Sequence, residues 1–152
     1  MFVCFLAFLI GVVSGLRAFM GLAVVSCAAR LQHLHLADTW LAFLGYVASP
    51  YILVVVALGE LVNDKLPKTP SRTLPPSFIA RIVTGSLAGA AIGASSQLLI
   101  LGLLAGAVGS VVGTLGGARA RAATAKLFGK DLPAALLEDA VGLAIALFVV
   151  LS

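Results

Sequence analysis

The chain has 152 residues, of which 61% are apolar and 11% charged, with a formal net charge of +4 and a mean hydropathy of +1.15. Soluble domains carry about 25% charged residues, so this composition excludes a water-exposed globule and points to an all-α, integral membrane helical bundle. At about 20 apolar residues per span, the length holds roughly four to six membrane helices in a single domain, 1–152, and leaves no room for a separate soluble module.

The first apolar run covers Phe2 to Ala29 and is interrupted by Gly11, Gly15, Arg17 and Gly21. Its length predicts one tilted span, with Arg17 about halfway along. Cys4 and Cys27 fall on this span, too far apart along one helix to bridge each other, and read as small buried apolar residues. Val24-Val25-Ser26-Cys27 resembles a lipoprotein cleavage box, but no Lys or Arg precedes the apolar stretch and Arg17 lies inside it, which is a span pattern rather than a signal pattern.

Arg30 to Asp38 reads as a polar turn carrying His33 and His35. Those two histidines have only Asp38 as a nearby further ligand, so no metal site is expected there. The second span is expected from Thr39 to Leu61, with interfacial Trp40, Tyr46 and Tyr51 and a kink at Pro50. The stretch from Asn63 to Ser77 holds Pro67, Pro70, Pro75 and Pro76 and cannot be helical throughout. A third span follows over Phe78 to Ala94. Ser95, Ser96 and Gln97 break it from a fourth, Leu98 to Gly117, which the basic stretch Ala118 to Lys130 extends. A fifth span runs from Asp131, expected as its cap, through Pro133 to Ser152.

Eight of the ten Lys and Arg residues cluster in two places: Lys65, Lys68, Arg72 and Arg81, then Arg119, Arg121, Lys126 and Lys130. Clusters of that kind set orientation in a bacterial inner (plasma) membrane. With five spans they put the amino terminus in the cytoplasm and the carboxyl terminus outside. No aromatic-interleaved basic motif accompanies them, so a nucleic-acid partner is not expected, and the partner they imply is the lipid bilayer.

The first and fourth spans resemble each other, with Gly11, Gly15 and Gly21 in one and Gly106, Gly109 and Gly116 in the other, and each precedes a helix with an acidic pair. Five alternating spans would point these two helices in opposite directions. An inverted repeat of halves 1–66 and 96–152 about a central third span follows, an arrangement common in secondary transporters. Gly85, Gly89 and Gly93, then Gly102 and Gly106, recur at every fourth position. They suit close helix packing, either within the chain or in a homo-oligomer.

Charge inside a span costs roughly 2.5 to 3.5 kcal/mol per central residue on insertion scales, so retained charges mark sites. Arg17 is expected to face inward, opposite a carboxylate. Glu60 and Asp64, spaced i, i+4, share a helix face. Glu138 and Asp139 point about 100° apart, so only one of them is expected to face a given partner, Arg81 or Arg119. Arg17, Glu60, Asp64, Arg81, Glu138 and Asp139 therefore form a substrate or ion site, with register-fixing ion pairs as the bland reading of the same residues. No phosphate loop, catalytic triad order, H-E-x-x-H or Cys-x-x-Cys is present. Catalysis and a cofactor are not expected.

The element Glu60-Leu-Val-Asn-Asp64-Lys65-Leu-Pro67 with Thr69-Pro70, Arg81 and Gly85 to Gly89 resembles the bacterial membrane-protein family called domain of unknown function 4126. Ser14-Gly15-Leu16-Arg17 and Leu137-Glu138-Asp139-Ala140 fit the same pattern. The resemblance covers most of the chain and implies a small polytopic membrane protein. It adds weight to Arg17, Glu60, Asp64, Lys65, Arg81 and Glu138, and supplies no substrate. The leading functional expectation is a small transporter or channel-like permease for a small solute or ion. The alternative is a non-transporting scaffold that packs through glycine-rich faces, and a lipid-modifying enzyme ranks third.

Overall fold

A computed structural model describes residues 1–66 and 73–152. Among these residues the regular structure is entirely helical: α1 (Phe2–Leu16), α2 (Met20–Arg30), a 3-10 helix (Trp40–Gly45), α3 (Ala48–Asp64), α4 (Pro75–Ala94), α5 (Leu99–Phe128) and α6 (Asp131–Leu151). Helices α4, α5 and α6 are long and apolar enough to cross a membrane, and α1 and α2 are shorter apolar helices. This is the make-up of a membrane-embedded helical bundle. Lys68 and Arg72 of the first basic cluster, together with Pro67, Thr69 and Pro70, lie outside the described residues.

Glycine decides how the centre packs. A side chain at Gly109 would run into the backbone of Phe8, and one at Gly113 into that of Val12, so α5 lies directly on α1. Gly85 meets Gly106 and Ser110, while Gly93 meets Leu98 and Gly102, which presses α4 against the other side of α5. The recurrent glycines are thus engaged within the chain, where backbone-to-backbone approach gives close dispersion contact that larger residues would prevent. Gly59 and Gly116 differ, having open space where a Cβ would stand.

The same contacts fix direction. Rising numbers on α1 match rising numbers on α5, so those helices run the same way, whereas α4 runs against α5. Gly21 of α2 lies beside Ile10 and Ser14, so α2 folds back along α1. Gly142 of α6 faces Leu16 and Met20. The bundle is therefore three helical hairpins, α1 with α2, α3 with α4, and α5 with α6, and the helix ends that face each other within each hairpin gather at one end. Both chain ends lie at the other.

Four expectations are corrected here. The first apolar run is two helices, not one span, because the chain leaves helical geometry at Arg17, whose φ of −140° and ψ of 114° are extended. The second run is not a kinked helix: residues 40–45 are 3-10, and Pro50 sits in the first turn of α3, where a missing N–H costs nothing. The glycine-bearing first and fourth expected spans run parallel, which is incompatible with their inversion and places the termini at the same end. Asp131 is not the cap of α6: that position is Lys130, and Asp131 is the first residue of the helix, with its carboxylate on Arg121.

The break at Ser95 to Gln97 occurs as expected. Gln97 takes a left-handed φ of 58°, and the Leu98 N–H closes back on Gly93 O at 2.8 Å. Gly129, with φ 69°, ends α5 after the helix has carried the basic stretch as far as Phe128.

Candidate functional site

The site begins with the interruption between α1 and α2. Helix ends leave backbone donors and acceptors without helical partners, and each one left unsatisfied in an apolar interior costs several kcal/mol. Two residues from the α3–α4 hairpin meet that demand. Glu60, in the last turns of α3, accepts from the Ala18 N–H at 2.8 Å with Oε1 and from the Phe19 N–H at 3.0 Å with Oε2. Arg81, near the start of α4, donates through Nη1 to Gly15 O at 3.0 Å and to Leu16 O at 2.9 Å. An anion thus stands at the positive start of α2 and a cation at the negative end of α1, the favourable pairing for both helix dipoles. Arg81 Nη2 is 3.5 Å from Glu60 Oε1, which joins the two ends.

Arg17 lies at the turn itself and is only 1% exposed. Its Nε donates to Asp139 Oδ1 at 2.6 Å, and Nη2 makes a close ion contact with the same oxygen at 2.5 Å. Nη1 is 2.9 Å from Asp64 Oδ2, and Glu138 Oε2 lies 4.0 Å from Nη2. The delocalised, weakly hydrated guanidinium suits burial among several carboxylates in a way that a lysine ammonium does not.

From Arg17 the charges continue outward with alternating sign. Asp64 Oδ2 is 2.5 Å from Arg121 Nη1, and Arg121 makes a two-pronged contact with Asp131 at 3.0 and 2.6 Å. Glu138 Oε2 is 3.7 Å from Arg121. On the other side, Lys65 Nζ is 2.7 Å from Asp139 Oδ2 and donates to Leu61 O at 3.1 Å. Asp131 is 62% exposed at its side chain against 1% for Arg17, so the series runs from solvent to the core. Apart from Asp131, four cations (Arg17, Lys65, Arg81, Arg121) face four carboxylates (Glu60, Asp64, Glu138, Asp139), and their formal charges cancel.

All six residues singled out from the sequence come together, but three relationships differ from expectation. Arg17 stands at a helix break, not within a helix. Glu60 and Asp64 share a face yet serve different partners, the backbone break and Arg17. Glu138 and Asp139 are not alternatives: both reach toward Arg17, at 4.0 and 2.5 Å. Lys65 was marked by family resemblance alone. Arg121 read as an orientation signal and Asp131 as a cap, and nothing in their spacing links them to Asp64 or Arg17.

His33 and His35 lie at the opposite end, between α2 and the 3-10 helix, where His35 and Asp38 border an open pocket of about 630 Å³. Among the described residues, no group of three His, Cys, Asp or Glu is placed to hold a metal. No family model matches the chain, and neither the curated proteins nor the solved structures contain a match to it.

Proposed function

We propose that this chain is a small membrane permease that moves a small solute or ion past the alternating charges between Asp131 and Arg17. The single observation that supports this most is the interrupted first hairpin, whose tip gathers two helix ends, Arg17 and the carboxylates of two other helices, α3 and α6, at one place. Broken helices that present backbone ends beside ionisable side chains are how secondary transporters build binding sites. Carboxylates here can accept a proton or cation when a partner cation swings away, and the vacated guanidinium or ammonium can then take an anion. Asp139 lies nine residues into α6, roughly 12 Å from its start at 1.5 Å per residue, so the charge series reaches about two helical turns inward from that end of the bundle.

In this reading α3, α4, α5 and α6 cross the bilayer. The α1 and α2 hairpin enters from the side of the chain ends as a re-entrant element, with its irregular tip shielded by protein. The four crossings replace the five-span, inverted arrangement. The end that carries Lys65, Arg81, Arg121 and Lys126 faces the cytoplasm by the positive-inside rule, so both chain ends face outward from a bacterial inner membrane. Membership in domain of unknown function 4126 is part of the proposal. No catalytic step and no cofactor enters it.

The test is flux in proteoliposomes preloaded in turn with H⁺, Na⁺, K⁺ and Cl⁻ gradients. The proposal expects one gradient to dissipate through the wild-type chain and both Arg17→Ala and Glu60→Gln to lower that flux at least tenfold. Equal flux in both variants removes the site assignment. A second reading, a scaffold without transport, draws on α3, of which Pro50 alone is buried, leaving an apolar surface for a partner or a second copy. It is favoured if the wild-type chain dissipates none of the gradients.

A further inference from the structure

Helix α3 is fastened at both ends and stands away from α4 between them. At its start, Ser49 donates to the carbonyl of Phe43, and the 3-10 helix is itself secured to α2 by the Ser26 hydroxyl on Leu44 O. At its end, Glu60 holds the Ala18 and Phe19 amides and touches Arg81 of α4. Two polar ties of this kind keep the helix from collapsing onto its neighbour. What remains between them is a lateral groove of about 540 Å³.

The groove walls are Ile52 and Leu53 on one side and Ala80 and Val83 on the other, over a floor that includes Leu22 and Leu44. That floor is closed, since Leu22 is 4% exposed and Leu44 is fully buried, while Ile52 and Val83 stand open at the rim. Two wall residues carry hydroxyls, and neither offers one to an occupant. Ser49 is turned to the Phe43 carbonyl and Thr84 to the Arg81 carbonyl at 3.2 Å. Water needs two to four polar partners to stay in a cavity, and this groove supplies none. Its volume lies within the range of ordinary small-molecule sites, and with α3 and α4 crossing the bilayer it opens sideways onto hydrocarbon.

We infer that the groove between α3 and α4 is a binding site for one acyl chain of a membrane phospholipid. A flexible apolar chain can enter from the side, fill a gap that is held open at both ends, and restore the dispersion contacts that α3 and α4 do not make with each other. The inference rests on the reading in which α3 and α4 cross the bilayer, and is independent of whether the charges at the bundle's end conduct.

The test uses the full chain in vesicles of phosphatidylethanolamine and phosphatidylglycerol, doped with a phospholipid bearing a diazirine on one acyl chain, and maps the photo-adducts by mass spectrometry. Adducts are expected on the floor residues Leu22 and Leu44. They should fall at least fivefold in Ala80→Phe and in Leu87→Phe, which fill the groove from different positions along α4, while adducts on outward Phe148 of α6 persist. Adducts confined to rim and outer faces in the wild-type chain, or floor adducts that survive both substitutions, overturn the proposal. Labelling of the floor by a diazirine free fatty acid with none by the phospholipid also overturns it.

Discussion

Glu60 and Arg81 stand 3.5 Å apart and hold opposite ends of the same break, the carboxylate on the amides that lead into α2 and the guanidinium on the carbonyls that end α1. Each therefore does two things at once, neutralising its partner and substituting for absent helical hydrogen bonds. Loss of Arg81 leaves Gly15 O, Leu16 O and one carboxylate oxygen short of a donor in an apolar interior. Arg81→Met is expected to destabilise the bundle by about 3 to 5 kcal/mol, the range for breaking a buried ion pair. Glu60→Gln keeps one acceptor and is expected to cost less. Unfolding in mixed micelles measures both, and a loss for Arg81→Met below about 1 kcal/mol on that scale speaks against the role given to it.

The inner and outer parts of the charge series should respond differently. Asp139 joins Arg17 to Lys65 in a largely buried position. Asp131, 62% exposed at its side chain, pairs with Arg121 at the exposed end of the series. Asp139→Asn is expected to cost about 3 kcal/mol or more, nearly independent of salt. Asp131→Asn is expected to cost about 0 to 1 kcal/mol, shrinking as salt rises from low to physiological ionic strength. Equal and equally salt-sensitive losses in the two variants contradict the burial gradient.

Glycines that look alike in the sequence should separate cleanly. Gly106 lies within backbone distance of both Gly85 and Gly89 and also meets Gly11, whereas Gly116 has open space. Gly106→Ala must push α4 away and is expected to lower stability by about 1 to 3 kcal/mol. Gly116→Ala adds helix propensity without a clash and is expected to raise stability by roughly 0.8 to 1 kcal/mol. Thermal unfolding of the two variants checks the signs, and the same sign for both removes the packing account.

How far the sequence reveals this arrangement depends on the range of the interaction. The membrane-helical class follows from bulk solvation, a property of composition, and the Ser95 to Gln97 break follows from local turn residues. Arg17 was identifiable as inward-facing because its burial is costly without a partner. The interruption beside it was not, since the stretch from Ser14 to Phe19 has no proline, and the groups that stabilise the break are 41 or more residues away in Glu60 and Arg81. The reading of one long span then carried its error forward: it misdirected the helix pairs, implied an inverted repeat, and separated chain ends that lie together. Asp131 shows the same limit in miniature: it stands one residue past the cap position, and its tie to a guanidinium ten residues back leaves no local signal.

The placement of the chain ends has its own consequence. Three hairpins return the chain to the side on which it began, so reporter domains fused before Met1 and after Ser152 are expected to fall on one side of the membrane. With the positive-inside rule that side is the outer one, and a periplasm-active reporter should be active at both ends. Activity at one end alone contradicts the hairpin arrangement.

The most direct measurement is the separation between the two native thiols, both free and partly accessible, with Cys4 on α1 and Cys27 on α2. Spin labels on them can be read by pulsed dipolar spectroscopy in a bilayer. An uninterrupted helix would hold them roughly 35 Å apart at 1.5 Å per residue. A chain that folds back at Arg17 brings them to within about 25 Å, given neighbouring helix axes 8–10 Å apart. The short distance is the predicted result, and a single population near 35 Å would contradict the broken helix on which the proposed site depends.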